Sequence, residues 1–183
     1  MVIGRVRLMI LVLLLALSTG DAGVVSAPRR ASAPAMPVPT TDVTAAAIQA
    51  VLEQEKTGSP PDTPIRVVDV GGYNVGIALI HHDAPATGHG ASHPKVTEVF
   101  RILEGGGTLV TGGTLVDPKM RDHRTLEGPC IGGNKMLGGV RRKVSKGNMV
   151  IIPAGTVHGF TEIDKTITYL VIRIDPDRVI TLK

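Results

Sequence analysis

His93 and Glu98, five residues apart, and His158, sixty residues beyond Glu98, are the side chains of this sequence whose types and spacing are best suited to chemistry. Two neutral imidazoles and one carboxylate form a donor set for a divalent transition metal, with further positions open to water or substrate. Such an ion activates oxygen, or serves as a Lewis acid toward a carbonyl or enol. His89 is a fourth candidate donor on the first stretch. Glu98, Phe100 and Ile102 alternate along an expected strand, which puts the carboxylate on the same face as apolar core residues. A carboxylate aimed into an apolar interior is costly unless positive charge meets it, and a bound cation is the simplest partner. In the second stretch Val150, Ile151 and Ile152 read as a buried strand. Pro153, Ala154 and Gly155 turn the chain, and His158 opens the strand that follows.

Each residue also has a purely structural explanation. His93 can be a hydrogen-bonded histidine at a barrel mouth, Glu98 can pair with Lys95, Arg101 or Arg173, and His158 can cap the preceding turn. His81 and His82 are adjacent on a strand and face opposite ways, so at most one lines a pocket; His123, in the charged run 120–124, is expected in solvent. Cys130 has no histidine at motif spacing, and Ser92 lacks the Gly-x-Ser-x-Gly context of a hydrolase. The glycine clusters at 105–107 and 132–139 precede no helix and no Gly-Lys-Ser/Thr, so they read as turns rather than phosphate cradles.

The elements that must hold these groups are mostly strands. Runs rich in β-branched residues at 65–70, 75–81, 97–103, 107–111, 149–152 and 166–174 are separated by glycine pairs such as Gly71-Gly72, Gly105-Gly106 and Gly112-Gly113. Helix and strand do not alternate, which excludes Rossmann and TIM architectures and favours an all-β closed barrel or sandwich. The one amphipathic helix expected lies over 43–56, capped by Asp42, with Val43, Ala47, Ile48, Val51 and Leu52 on one face. The proline-rich segment 59–64 is expected to end it before the first strand. Residues 117–142, the longest stretch without a clear strand pattern, read as a surface loop. An apolar wall of Phe100, Ile102, Val150 and Ile152 is expected in the pocket, which points to a small, partly apolar ligand.

The paired stretches resemble the two motifs of the cupin superfamily, G-x5-H-x-H-x3,4-E-x6-G and G-x5-P-x-G-x2-H-x3-N. Gly88 matches the opening glycine loosely; His93 matches the second histidine, Glu98 the glutamate and Gly105 the closing glycine. Gly147, Pro153, Gly155 and His158 match the second motif at its spacing. Three positions depart from it: Ala91 stands at the first histidine, Glu162 at the closing asparagine, and Asn148 where many cupins have aspartate. His89 could replace the missing imidazole only from about 6 to 7 Å further along the strand. The resemblance implies an all-β, single cupin (double-stranded β-helix, jelly-roll) barrel with one N-terminal helix. It also implies a divalent metal (Fe, Mn, Zn or Ni) on His93, Glu98 and His158, with His89 as a further candidate.

Length and composition set the frame. The 183 residues suit a single core. Arg5 and Arg7, the apolar run 8–17 and the small residues after it read as an export signal over 1–22, too short for a comfortable membrane span, with an uncleaved N-terminal anchor as the competing reading. A flexible Pro/Ala-rich linker (23–41), the helix and its connector (42–64), the barrel (65–176) and a C-terminal tail (177–183) follow, with both ends expected to be dispensable. Without the two leader arginines the 20 basic residues fall to 18 against 16 acidic, and with no Trp, two Phe and two Tyr a nucleic-acid partner is not expected. A lone cysteine makes no internal disulfide. The expectation is an exported, periplasmic or extracellular protein, with a small-molecule ligand, no membrane contact after signal cleavage, and a homodimer as one way to cover edge strands. Three functions fit: a metal-dependent oxygenase or isomerase, a non-catalytic small-ligand binder, and a structural barrel that has lost part of its site.

Overall fold

The computed structural model describes residues 39–56 and 62–183; the expected signal and residues 23–38 of the expected linker lie outside the described residues. Helix α1 (Ala45–Lys56) starts two residues later than the sequence pattern indicates. Its cap is Thr44 rather than Asp42: the Thr44 hydroxyl oxygen accepts from the backbone N–H of Ala47 at 3.1 Å. Leu52 is buried and Ala47, Ile48 and Val51 are half-buried, on a helix that packs against the first two strands.

Eleven strands follow among the described residues: β1 (Asp62–Asp69), β2 (Asn74–Asp83), β3 (Gly90–Ser92), β4 (Thr97–Thr111), β5 (Thr114–Val116), β6 (Lys119–His123), β7 (Gly128–Gly133), β8 (Lys135–Leu137), β9 (Val140–Ser145), β10 (Met149–Ile152) and β11 (His158–Asp175). Nine form one antiparallel sheet in the order β1-β2-β11-β3-β7-β6. In the same sheet β4 pairs with β11 on one edge and with β9 and β10 on the other; β5 and β8 form a separate ribbon. The architecture is mostly β, a curled antiparallel sheet with one short N-terminal helix. The core lies between its walls and includes Ala78, Phe100, Ile102, Leu109, Ile152, Ile167, Tyr169 and Val171.

Four local expectations are corrected. Residues 105–107 do not turn the chain; they lie inside β4, which runs unbroken for 15 residues. The glycines there permit close approach to β11: a Cβ on Gly105 would stand 1.9 Å from the Thr166 carbonyl oxygen, and its φ of 69° is in the left-handed region. The register between the two long strands shifts at this point, between Ile163 and Ile167. Residues 117–142 are not a loop but carry β6, β7, β8 and the start of β9. Their pattern is illegible because β6 is largely exposed on both faces and four of the six residues of β7 are glycine or proline. The first strand begins at Asp62, and Pro64 is tolerated because β1 is an edge strand with a register shift there. Finally, the C-terminal tail belongs to the fold. Lys183 exchanges two backbone hydrogen bonds with Val67, and Ile180 is buried against Val67 and Val96.

Candidate metal centre

The two sequence stretches are stitched together by backbone bonds. His93 follows β3, and its carbonyl accepts from the N–H of Gly155 at 2.8 Å. The N–H of Ala154 donates to the Thr97 hydroxyl at 3.2 Å. Ala91 and His158 are paired residues of β3 and β11, while Glu98 on β4 is paired with Ile152 of β10 on one side and Arg173 of β11 on the other. The turn at 153–155 and the two ladders therefore bring His93, Glu98 and His158 to one place.

All three are buried, at 4%, 2% and 7% exposure. Nε2 of His158 lies 3.1 Å from Glu98 Oε2, and Nε2 of His93 lies 3.6 Å from the same oxygen. These separations suit donors that share one ion, because bonds of about 2.0 to 2.2 Å put neighbouring donors about 3 to 3.5 Å apart. His93 Nδ1 is buried with no hydrogen-bond partner, and Glu98 Oε2 has none while His158 is neutral with its proton on Nδ1; a protonated His158 donates to it across 3.1 Å. A buried polar atom left unmatched is costly, and a cation beside Glu98 Oε2 removes the deficit. The other Glu98 oxygen, Oε1, accepts from Arg173 Nε at 3.0 Å. On His158, Nδ1 lies 3.0 Å from the Thr156 carbonyl; donating there leaves Nε2 free to bind metal.

The surroundings are charged, and of the three partners expected for Glu98 it is Arg173 that pairs with it. Arg173, 2% exposed, also donates to both oxygens of Asp62, at 3.1 and 2.5 Å, and to the Leu126 carbonyl at 2.9 Å. Glu127 Oε2 lies 3.9 Å from His93 Nε2 and 3.9 Å from Arg173. Counted as formal charges, three carboxylates face one guanidinium, leaving two negative charges when both imidazoles are neutral. Burial pushes the Glu98 carboxyl up, but His158, His93 and Arg173 together hold it well below the usual range. Burial lowers the His93 pKa, and the Glu98 and Glu127 carboxylates offset only part of that. Burial also works against a charged His158, but Glu98 and the Thr156 carbonyl outweigh it, so its pKa is raised. This donor set fits a divalent cation, which would balance the charge and engage Glu98 Oε2.

No protein-family model and no curated protein matches the sequence. Solved structures do match. Hydroquinone 1,2-dioxygenase from Sphingomonas sp. TTNP3, with 4-hydroxybenzoate bound, is 16% identical and superposes with a TM-score of 0.50 over 81% of this chain and 86% of its own. A cupin protein from Bacteroides fragilis is 16% identical with a TM-score of 0.37, over 60% of this chain and 72% of its own. The chain has the cupin fold. A protein from Bacillus halodurans, 17% identical, matches with a TM-score of 0.44 over 76% of this chain and 84% of its own.

The cupin barrel encloses a cavity of about 340 Å³ beside the three donors. Of the expected apolar wall only Phe100 lines it. Ile102 and Ile152 lie in the core and Val150 packs against that core, while Ile80, Phe160, Ile163 and Tyr169 supply the wall instead. Ile102 misses the cavity because it lies two residues past Phe100, about 7 Å along β4 at ordinary strand rise. His89 is exposed and lines the cavity just before β3, but it is outside the His93, Glu98 and His158 group, so the structure does not bring it to the other three. His82 lines the cavity; burial lowers its pKa, with His81 adding to the effect. Cys130, on a strand not legible in the sequence, is buried in the cavity wall, where burial and the neighbouring Glu127 carboxylate push its thiol up to about 12.

Proposed function

We propose that this cupin holds one divalent transition metal on His93, Glu98 and His158 and acts on a small, partly apolar organic molecule, as an oxygenase or isomerase. The observation that carries the reading is the convergence of the buried Glu98 Oε2 with two buried imidazole nitrogens, 3.1 and 3.6 Å away, at the edge of a cavity large enough for a small ligand. When bound, the ion would supply oxygen activation or Lewis acidity. The protein's own residues do the remainder. Arg173 fixes the Glu98 carboxylate, the Thr156 carbonyl orients His158, and Phe100, Tyr169 and Ile80 present an apolar surface that orients a ring or short chain and keeps water away from it. A dioxygenase on the same fold is one chemistry this donor set suits. The export expected from the N-terminal segment would place that activity outside the cytoplasm.

A second reading is favoured by Ala91, which removes one imidazole from the motif: a non-catalytic carrier of a small ligand in the same cavity. The experiment that separates the two is reconstitution with Fe, Mn, Ni or Zn in turn. It is followed by oxygen-uptake and product assays on a panel of small phenols and enols. Metal-dependent turnover abolished by His158→Ala supports the enzyme; ligand binding without turnover with every metal supports the carrier.

A further inference from the structure

Resting on the small-ligand reading of this cavity, we propose that its ligand is an aromatic carboxylate, a single ring held against Phe100, Tyr169 and Phe160 with its carboxylate on Arg121. The chain has two Phe, two Tyr and no Trp, and three of those four aromatic residues line this one cavity. Their rings form a continuous wall. The centroids of Phe160 and Tyr169 are 5.7 Å apart, those of Tyr169 and Phe100 4.6 Å, and those of Phe100 and His158 5.7 Å, so the wall runs from Phe160 to the candidate metal donors. A flat ring laid on it makes the offset or edge contacts that aromatic pairs favour, beyond what its buried area alone supplies. Tyr169 is 4% exposed, and its hydroxyl makes no hydrogen bond among the described residues. Burial pushes its pKa well up, so the phenol stays protonated and can donate to a ring substituent. The cavity volume of about 340 Å³ suits one ring rather than a fused system.

The carboxylate is assigned from the other side of the cavity. Arg121 on β6 lines it, is exposed, and makes no hydrogen bond or ion pair among the described residues. Its guanidinium lies over Gly132: a Cβ there would stand 3.5 Å from Cζ and 3.7 Å from Nε and Nη1. Gly132 is paired with Ala91, and Ala91 with His158. Two strand spacings of about 4.8 Å therefore separate Gly132 from His158, and with alanine and glycine on that path no side chain of length obstructs it. A ring with a substituent at each end bridges such a gap, one end at the guanidinium and the other beside the metal donors. A guanidinium matches a carboxylate with two parallel hydrogen bonds. With a divalent ion bound, Asp62, Glu98 and Glu127 are balanced by that ion and Arg173; Asp83, the other acid on the lining, is exposed and 3.4 Å from His81. One unpaired cation among these acids favours a monoanion over a phosphate, which carries nearly two charges.

Calorimetry on the full chain equilibrated with Zn²⁺ tests this with benzoate, benzamide, which keeps the ring without the charge, and cyclohexanecarboxylate, which keeps the charge without the aromatic face. Benzoate is expected to bind at least about tenfold more tightly than benzamide and about fivefold more tightly than cyclohexanecarboxylate. Arg121→Gln is expected to abolish the advantage over benzamide while leaving benzamide affinity and Zn²⁺ uptake unchanged. Benzoate affinity unchanged in Arg121→Gln overturns the proposal, as does equal affinity for benzoate and cyclohexanecarboxylate. Phenyl phosphate bound more tightly than benzoate overturns the choice of carboxylate. Absence of benzoate binding overturns the proposal too, and small phenols that still bind would leave the cavity reading standing. Benzoate held through Arg121 by a chain that takes up no Zn²⁺ upholds the proposal while removing the metal assignment.

Discussion

Arg173 and Glu98 are directly opposed residues of β11 and β4, and the guanidinium takes only one carboxylate oxygen. Nε donates to Oε1 at 3.0 Å, while Oε2 is left facing the two imidazoles. The pair is almost fully buried, and Arg173 also carries Asp62. Removing one member of a buried ion pair costs about 3 to 5 kcal/mol because its partner's charge is stranded. Arg173→Met is therefore expected to lower unfolding stability in urea by that order. A loss below about 1 kcal/mol would show that the pair behaves like a surface contact.

Metal uptake should release protons. His158 has a raised pKa in the metal-free fold, so it carries a proton above the ordinary histidine value of about 6.5, and metal binding requires the neutral ring. That proton stabilises the metal-free fold fully below about 6.5, and the contribution is lost as pH rises through the folded-state value. His93, whose pKa is lowered, is already neutral and releases nothing in this range. Affinity is expected to rise with pH until the raised folded-state value of His158 is passed and then level off, with binding enthalpies that depend on the ionisation enthalpy of the buffer. Enthalpies identical across buffers would contradict the assignment.

Cys130 should be inert in the native metal-free protein. Its thiol, pushed up to about 12 by burial and Glu127, is almost entirely protonated at pH 8, and the thiolate is the reactive form. Alkylation is expected to be slow in buffer and fast in urea. Equal rates would mean that the β7 strand does not protect it.

The distance from sequence to structure is uneven and has physical causes. The donors His93, Glu98 and His158 were legible because strand alternation and the Pro-Ala-Gly turn fix the faces on which side chains emerge. Glu127 was not, because it sits between a polar edge strand and a glycine-rich one, where no alternation marks an inward face. Asp62 was hidden for a related reason: two adjacent prolines and Pro64 look like a break, yet an edge strand accommodates Pro64. Residues 105–107 mislead in the opposite sense, since glycine serves close packing there as well as turning.

Gly105 offers a direct test of that last point. Gly105→Ala combines a left-handed backbone with a Cβ placed against the Thr166 carbonyl, so a loss of at least about 2 kcal/mol in unfolding free energy is expected. An alanine variant as stable as the parent would show that β4 and β11 are not so closely apposed.

The central claim is that His93, Glu98 and His158 share one ion, and metal analysis of the purified full chain after equilibration with Zn²⁺ and desalting tests it most directly. The account predicts about one equivalent per chain, lost in Glu98→Gln and in His158→Ala while both variants keep the parent circular dichroism spectrum. Retention of the full equivalent in both variants, or a parent protein that leaves the column metal-free, would contradict it.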